Sequence, residues 1–106
     1  MNGKLEKVIM INYNFKWDVK KAKLNIAKHD ISFEEAATIF QDPMTITIYD
    51  DVHSTNEERW VTIGITKNGR LQLACHTFHR ESDNFVTIRI FSSRKATKTE
   101  IKQYEG

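Results

Sequence analysis

The sequence predicts a small α+β domain on three observations: helical periodicity up to Gln41, period-two alternation from Thr45 onward, and a capping pattern before the C-terminus. Two N-terminal helices, a small antiparallel sheet of about four to five strands and one short C-terminal helix are expected. A chain of 106 residues encloses one hydrophobic core, so one domain is expected, with 1–12 as an extension or edge segment and 13–106 as the folded unit.

A first strand is expected around Tyr13–Trp17. Asp18 is placed to cap a helix over 18–29, with Val19, Ala22 and Ile26 on one face and Lys20, Lys21 and Lys28 elsewhere. His29-Asp30 breaks that pattern, and Ser32-Phe-Glu-Glu35 has the form of a capping box. The second helix, 33–41, carries Phe33, Ala36, Ala37 and Phe40 at helical spacing and ends at Asp42-Pro43, because proline disfavours helix in the residue before it.

Four alternating runs follow: Thr45–Tyr49, Trp60–Thr66, Leu71–Phe78 and Phe85–Phe91. Lys67-Asn-Gly-Arg70 suits a two-residue hairpin turn, so the last three strands should form an antiparallel meander. Thr97-Lys-Thr-Glu100 is a second capping box, opening a final helix with Ile101 and Tyr104 on one face. So short a helix needs docking, either on its own sheet or on a partner.

Hydrophobic residues make up 40% and charged residues 28%, which excludes disordered and collagen-like classes. No apolar run approaches the roughly 20 residues that span a bilayer, and the N-terminus lacks a signal-peptide pattern, so a cytoplasmic location is expected. Cys75 is the one cysteine, which rules out an internal disulfide and suggests a buried thiol. A net charge of +2 is too mild to mark a nucleic-acid binder, so the placement of the cations must carry that argument.

In the last strand Arg89 falls on the face opposite Val86, Ile88 and Ile90. Arg94 shares the parity of Ile90, so the chain is expected to leave the sheet near Ser92 or Ser93, with Arg94 and Lys95 at a strand-to-helix junction. Cations gathered at a sheet end suit a phosphate, although a solvated, salt-bridged surface explains the same pattern. The segment Asp50–Arg59 offers Asp50, Asp51, His53 and Glu57 to a divalent ion, but its spacing matches no ligand loop and a plain acidic loop accounts for it. Glu58 and Arg59 open the Trp60 strand, making Glu58 either a general base near the cations or their neutralising partner. His76 and His79 fall on opposite faces of one strand and read as surface histidines. Lys28 and His29 close the first helix, where its dipole favours cations.

Phe15-Lys-Trp-Asp18, Asn25-Ile-Ala-Lys-His29, Ile31-Ser-Phe-Glu-Glu-Ala36, Asp42-Pro43, Glu58-Arg59 and Arg89-Ile-Phe-Ser-Ser-Arg-Lys-Ala96, then Glu100 and Tyr104, resemble the BrnT family. The resemblance spans Tyr13 to Tyr104, departing at Phe91, where isoleucine is usual, and at Ser93, where alanine is usual. It implies a RelE-like fold and a ribonuclease toxin of a type II toxin-antitoxin system, neutralised by a BrnA antitoxin that also binds DNA. On that basis the expected activity is metal-independent and cofactor-free endoribonuclease cleavage, in which an RNA 2′-hydroxyl attacks the neighbouring phosphate. Arg89 and Arg94 are then the phosphate-stabilising residues, and Lys28, Arg59 and Lys95 bind RNA. Glu58, His29 or Lys28 must move the proton, because arginine does not deprotonate. A non-catalytic RNA- or protein-binding module and a metal-dependent nuclease using the acidic loop remain as alternatives.

Overall fold

The computed structural model describes residues 11–106, so residues 1–10 of the expected extension lie outside the described residues. In chain order the elements are β1 (Asn12–Lys16), α1 (Val19–His29), α2 (Phe33–Ala37), a 3₁₀ turn (Thr38–Gln41), β2 (Ile46–Tyr49), β3 (Trp60–Ile65), β4 (Leu71–His76), β5 (His79–Ser82), β6 (Phe85–Lys95) and α3 (Lys98–Glu105). The strand order is β1-β6-β4-β3-β2, with β5 also paired to β6.

The three expected helices form, the second α-helical only to Ala37 and 3₁₀ from Thr38 to Gln41, and β3, β4 and β6 are the expected antiparallel neighbours. The sheet itself differs from expectation. It has six strands among the described residues and is mixed, because β1 runs parallel to β6. The extra strand arises where the run Leu71–Phe78 breaks after His76 and resumes as the polar β5, His-Arg-Glu-Ser, which carries no apolar alternation. The Asn-Gly turn also differs: Gly69 N donates to Thr66 O at 2.9 Å, and Gly69, not Asn68, takes the positive φ of 81°.

Side-chain caps set the helix starts. Asp18 accepts from Lys21 N at 3.1 Å and Ser32 from Glu35 N at 3.0 Å. Thr97 and Glu100 form the full reciprocal box. At Ser32 half the box forms, since Glu35 turns its carboxylate to Gln72 Nε2 at 2.9 Å.

One sheet face carries Val86, Ile88 and Ile90, which form the core with Phe33 under α1 and α2, ringed by Phe15, Trp17, Ala22, Ala37 and Phe40. The 3₁₀ turn and Thr45 lie so close to β3 that a Cβ on Gly64 would sit 3.1 Å from Ile39 O and 2.7 Å from Thr45 Cγ2, so a side chain there would force its neighbours to shift. α1 does not bury the expected stripe: Val19 and Ile26 are 64% and 47% exposed. Its buried residue is Asn25, whose Nδ2 donates to Ile31 O at 3.0 Å and whose Oδ1 accepts from Ser93 N at 3.1 Å. Two satisfied backbone groups outweigh the burial of two exposed aliphatics here.

The opposite face takes α3. Ile46, Ile63, Leu73 and Arg94 are successive cross-strand neighbours and share that face. Arg94 binds Glu100 of α3, and Tyr104 Oη donates to Asp42 Oδ2 at 2.6 Å, so the helix docks on its own sheet. Asp42 also accepts from Ile65 N and Met44 N. Against the cost of burial, these hydrogen bonds hold its carboxyl below the usual range.

Two further expectations are corrected. His76 is fully buried, not a surface histidine: its Nδ1 meets Thr77 O at 2.7 Å, and its Nε2 meets Thr62 Oγ1 at 2.7 Å. A carbonyl only accepts, so Nδ1 bears the proton, Nε2 accepts from Thr62, and Thr47 donates to Thr62 at 2.9 Å. Burial lowers the His76 pKa and keeps the ring neutral. Cys75 is half-buried rather than enclosed, because it lies on the α3 face opposite Ser92.

Candidate active site

The site is created by a β-bulge. His76 lies opposite Ile90 but Cys75 lies opposite Ser92, so Phe91 is an extra residue in β6. A bulge inverts the alternation that follows it. Val86, Ile88 and Ile90 are buried before it and Ser93 after it. The chain therefore does not leave the sheet at Ser92 or Ser93; β6 continues to Lys95 and Arg94 comes round to the face of Arg89.

Phe91 becomes a platform for cations. Arg59 Cζ lies 4.2 Å, Arg89 Cζ 4.8 Å and Lys21 Nζ 5.1 Å from its ring centroid. Such contacts contribute about 0.5–1 kcal/mol each at exposed positions and, more usefully, hold the guanidinium groups in place. Glu57 accepts from Arg89 Nη2 at 2.7 and 2.5 Å and stands 3.9 Å from Arg59. The side chains of Arg59, Glu57 and Arg89 are 36%, 39% and 46% exposed, so an incoming anion can reach them.

Beside Phe91 a groove runs between α1 and β6, lined by Lys21, Lys28, His29, Phe91 and Ser92. It exists because β1 pairs with β6 only as far as Arg89, leaving room for α1 along the strand edge beyond. Lys21, Arg59 and Arg89 thus rest on one aromatic ring, and Lys28 and His29 line the groove beside it.

The sequence-predicted residues divide accordingly. Arg89 and Arg59 rest on Phe91, and Lys28 and His29 line the groove beside it; Glu58 is exposed, and the carboxylate that meets the arginines is its neighbour Glu57. Arg94 is committed elsewhere: its two Nη atoms donate to the two oxygens of Glu100 at 2.8 and 2.9 Å. Lys95 lines an adjoining cavity together with His29. Lys21 was missed as a site residue, Glu57 was read only as a possible ligand of a divalent ion, and Phe91 was legible only as a packing variation. Helical periodicity places Lys21 off the apolar stripe but cannot say which strand it reaches. In the acidic loop Asp50 binds His53 at 2.8 Å while Glu57 turns to Arg89. Among the described residues no three His, Cys, Asp or Glu side chains group as metal ligands.

The hydrogen bonds from Arg94, against the cost of burial, push the Glu100 pKa from 4.5 down to about 2. A depressed folded-state value means that the pair's stabilisation is fully present above about 4.5 and lost as the pH falls toward 2. Arg94 is 40% exposed, so solvent screening limits the effect to on the order of 1 kcal/mol. Glu100→Gln is expected to lower the urea midpoint at neutral pH and to converge with the parent as the pH approaches about 2. A constant gap between the two proteins across that range contradicts this.

Fold and site together define a small α+β protein whose basic groove is suited to a phosphate backbone. The family model described as "Ribonuclease toxin, BrnT, of type II toxin-antitoxin system" matches residues 17–100, and the chain belongs to this family. Membership of a type II toxin-antitoxin family implies an antitoxin partner. The crystal structure of the Brucella abortus ribonuclease toxin BrnT is 18% identical, aligns over 86% of this chain and 100% of that one, and has a TM-score of 0.51. At that identity it supports the fold alone. No curated protein matches significantly. Among the described residues no helix is long and apolar enough to cross a membrane.

Proposed function

We propose that this chain is a metal-independent endoribonuclease that cleaves RNA by attack of the 2′-hydroxyl on the adjacent phosphate. The observation that carries the reading is the seating of Arg59, Arg89 and Lys21 on Phe91, beside a groove lined by Lys28 and His29, so that cations are in place before any substrate arrives. The scissile phosphate takes the place of the Glu57 carboxylate on Arg89 and Arg59, and the two guanidinium groups stabilise the charge that develops on its oxygens. His29, half-buried at the groove wall, moves the proton, since an imidazole nitrogen can both accept and donate one and arginine does not deprotonate. Glu57, once displaced from Arg89, and its neighbour Glu58 are the carboxylates within the same loop that can assist. Lys28, Lys21 and Lys95 hold flanking phosphates. Arg94 is a positioning residue in this scheme, acting through α3 and the end of β6.

In the same reading 13–106 is a single RelE-like toxin domain acting in the cytoplasm, with a BrnA-like antitoxin covering the basic groove. Purified protein is expected to cut RNA in EDTA and to leave DNA of the same sequence intact, because DNA lacks the attacking hydroxyl. Cleavage restored only by a divalent ion transfers the reading to a metal-dependent nuclease; RNA bound but uncut at every pH makes the chain a binding module.

A further inference from the structure

Next to the groove beside Phe91 lies a second cavity of about 410 Å³, walled by Ile31, Leu71 and Ile101 and rimmed by His29, Asp30, Arg70 and Lys95. Its size is that of a small-molecule site, and apolar walls with a few polar groups are what such sites present. It opens where β4 starts and β6 ends, between the C-terminus of α1 and the start of α3. His29 lines both this cavity and the groove beside Phe91, so the two spaces share a wall.

Gln72 also lines the cavity and is 1% exposed. Its Nε2 donates to Glu35 Oε2 at 2.9 Å, and because a carboxylate only accepts, the amide orientation is fixed. Gln72 Oε1 is left as a buried acceptor without a partner among the described residues. Buried polar groups are ordinarily satisfied, so an N–H brought by an occupant is what this oxygen lacks. The oxygen is covered in this conformation, so reaching it takes a side-chain shift in the wall.

We infer that this cavity is a nucleotide subsite, taking the base of the RNA residue next to the cleaved phosphate. The base lies between the apolar walls, an N–H on its edge meets Gln72 Oε1, and its phosphate rests on His29, Arg70 and Lys95. An inorganic anion has no use for the apolar walls, and an apolar peptide has none for the two cations Arg70 and Lys95. A splayed nucleotide uses both, as in recognition of single-stranded RNA generally. The inference rests on the ribonuclease reading and adds to it where the flanking base is held and which residue reads it.

The test is an NMR titration of the labelled full-length chain with the four nucleoside 3′-monophosphates, alongside cleavage of short RNAs that vary the flanking base. Nucleotides are expected to shift the Gln72 side-chain amide and the Ile101 methyls. Arg70→Ala, at a side chain 62% exposed, is expected to weaken binding about tenfold, the loss of one charge-assisted hydrogen bond. In cleavage the same variant raises KM and leaves kcat nearly unchanged, and Gln72→Leu alters the base preference. Shifts confined to the Phe91 groove, unaltered binding in Arg70→Ala, or equal shifts from an acidic peptide without bases each overturn the subsite. RNA cut normally with Gln72 unshifted removes the subsite alone; intact RNA with Gln72 shifted removes the ribonuclease reading and leaves a nucleotide site.

Discussion

Arg89→Ala is expected to lower RNA cleavage by about 100- to 1000-fold, the usual loss on removing one preorganised donor from a developing oxyanion, and to leave the domain folded. The fold survives because Arg89 projects from the face opposite Val86, Ile88 and Ile90. Its partner Glu57 is also solvent-accessible, and such pairs contribute about 0–1 kcal/mol to stability. Arg89→Lys keeps the charge but loses the forked donor geometry and the stacking on Phe91, so it recovers only part of the rate. Single-turnover cleavage of an RNA oligonucleotide, read with a urea titration of each variant, checks both halves. A folded Arg89→Ala protein of near-parental activity removes the assignment. Arg94→Ala behaves differently from Arg89→Ala, because its guanidinium is held by Glu100 and its loss is felt first in the docking of α3.

Asn25→Ala destabilises the domain by on the order of 3 kcal/mol, because it leaves Ile31 C=O and Ser93 N–H buried without partners at about 1–3 kcal/mol each. The consequence reaches the site. Ser93 stands two residues after the bulged Phe91, and Asn25 is on the helix that carries Lys28 and His29, so the one amide ties the groove's two walls together. Asn25→Asp keeps the acceptor for Ser93 but not the donor for Ile31, and is expected to fall between the parent and Asn25→Ala. Urea unfolding checks the order of the three proteins; a loss below about 0.5 kcal/mol in Asn25→Ala contradicts the clamp.

Caps, periods and strand pairing by hairpin were legible in the sequence because they are local. Asp18, Ser32 and Thr97 cap the helices they were expected to cap, and the runs at Thr45, Trp60, Leu71 and Phe85 all contribute strands. What escaped was non-local. The parallel pairing of β1 with β6 joins segments from opposite ends of the chain, and neither carries a mark of its partner. Asn25 reads as a polar break in an apolar stripe until Ser93 and Ile31 are beside it.

The bulge is the most instructive case. Strict alternation aims Arg94 at the core, and the expected remedy was for the chain to leave the sheet; the strand instead inserts Phe91 and keeps its pairing to Lys95. The same insertion sets the ring on which Arg59, Arg89 and Lys21 rest, so the irregularity in the strand and the candidate site are one feature. Family resemblance pointed to Arg89, Arg59, Lys28 and His29, but it could not separate Arg94, which is occupied by Glu100, or prefer Glu57 to Glu58 as the carboxylate at the arginines.

The ends of the RNA fragments released in EDTA decide the chemistry. Attack by the 2′-hydroxyl at the Arg89 groove predicts a 2′,3′-cyclic or 3′-phosphate on one fragment and a 5′-hydroxyl on the other, with cutting abolished by a single 2′-deoxy substitution at the scissile position. Fragments bearing a 5′-phosphate and a 3′-hydroxyl, or cutting indifferent to that substitution, would contradict it.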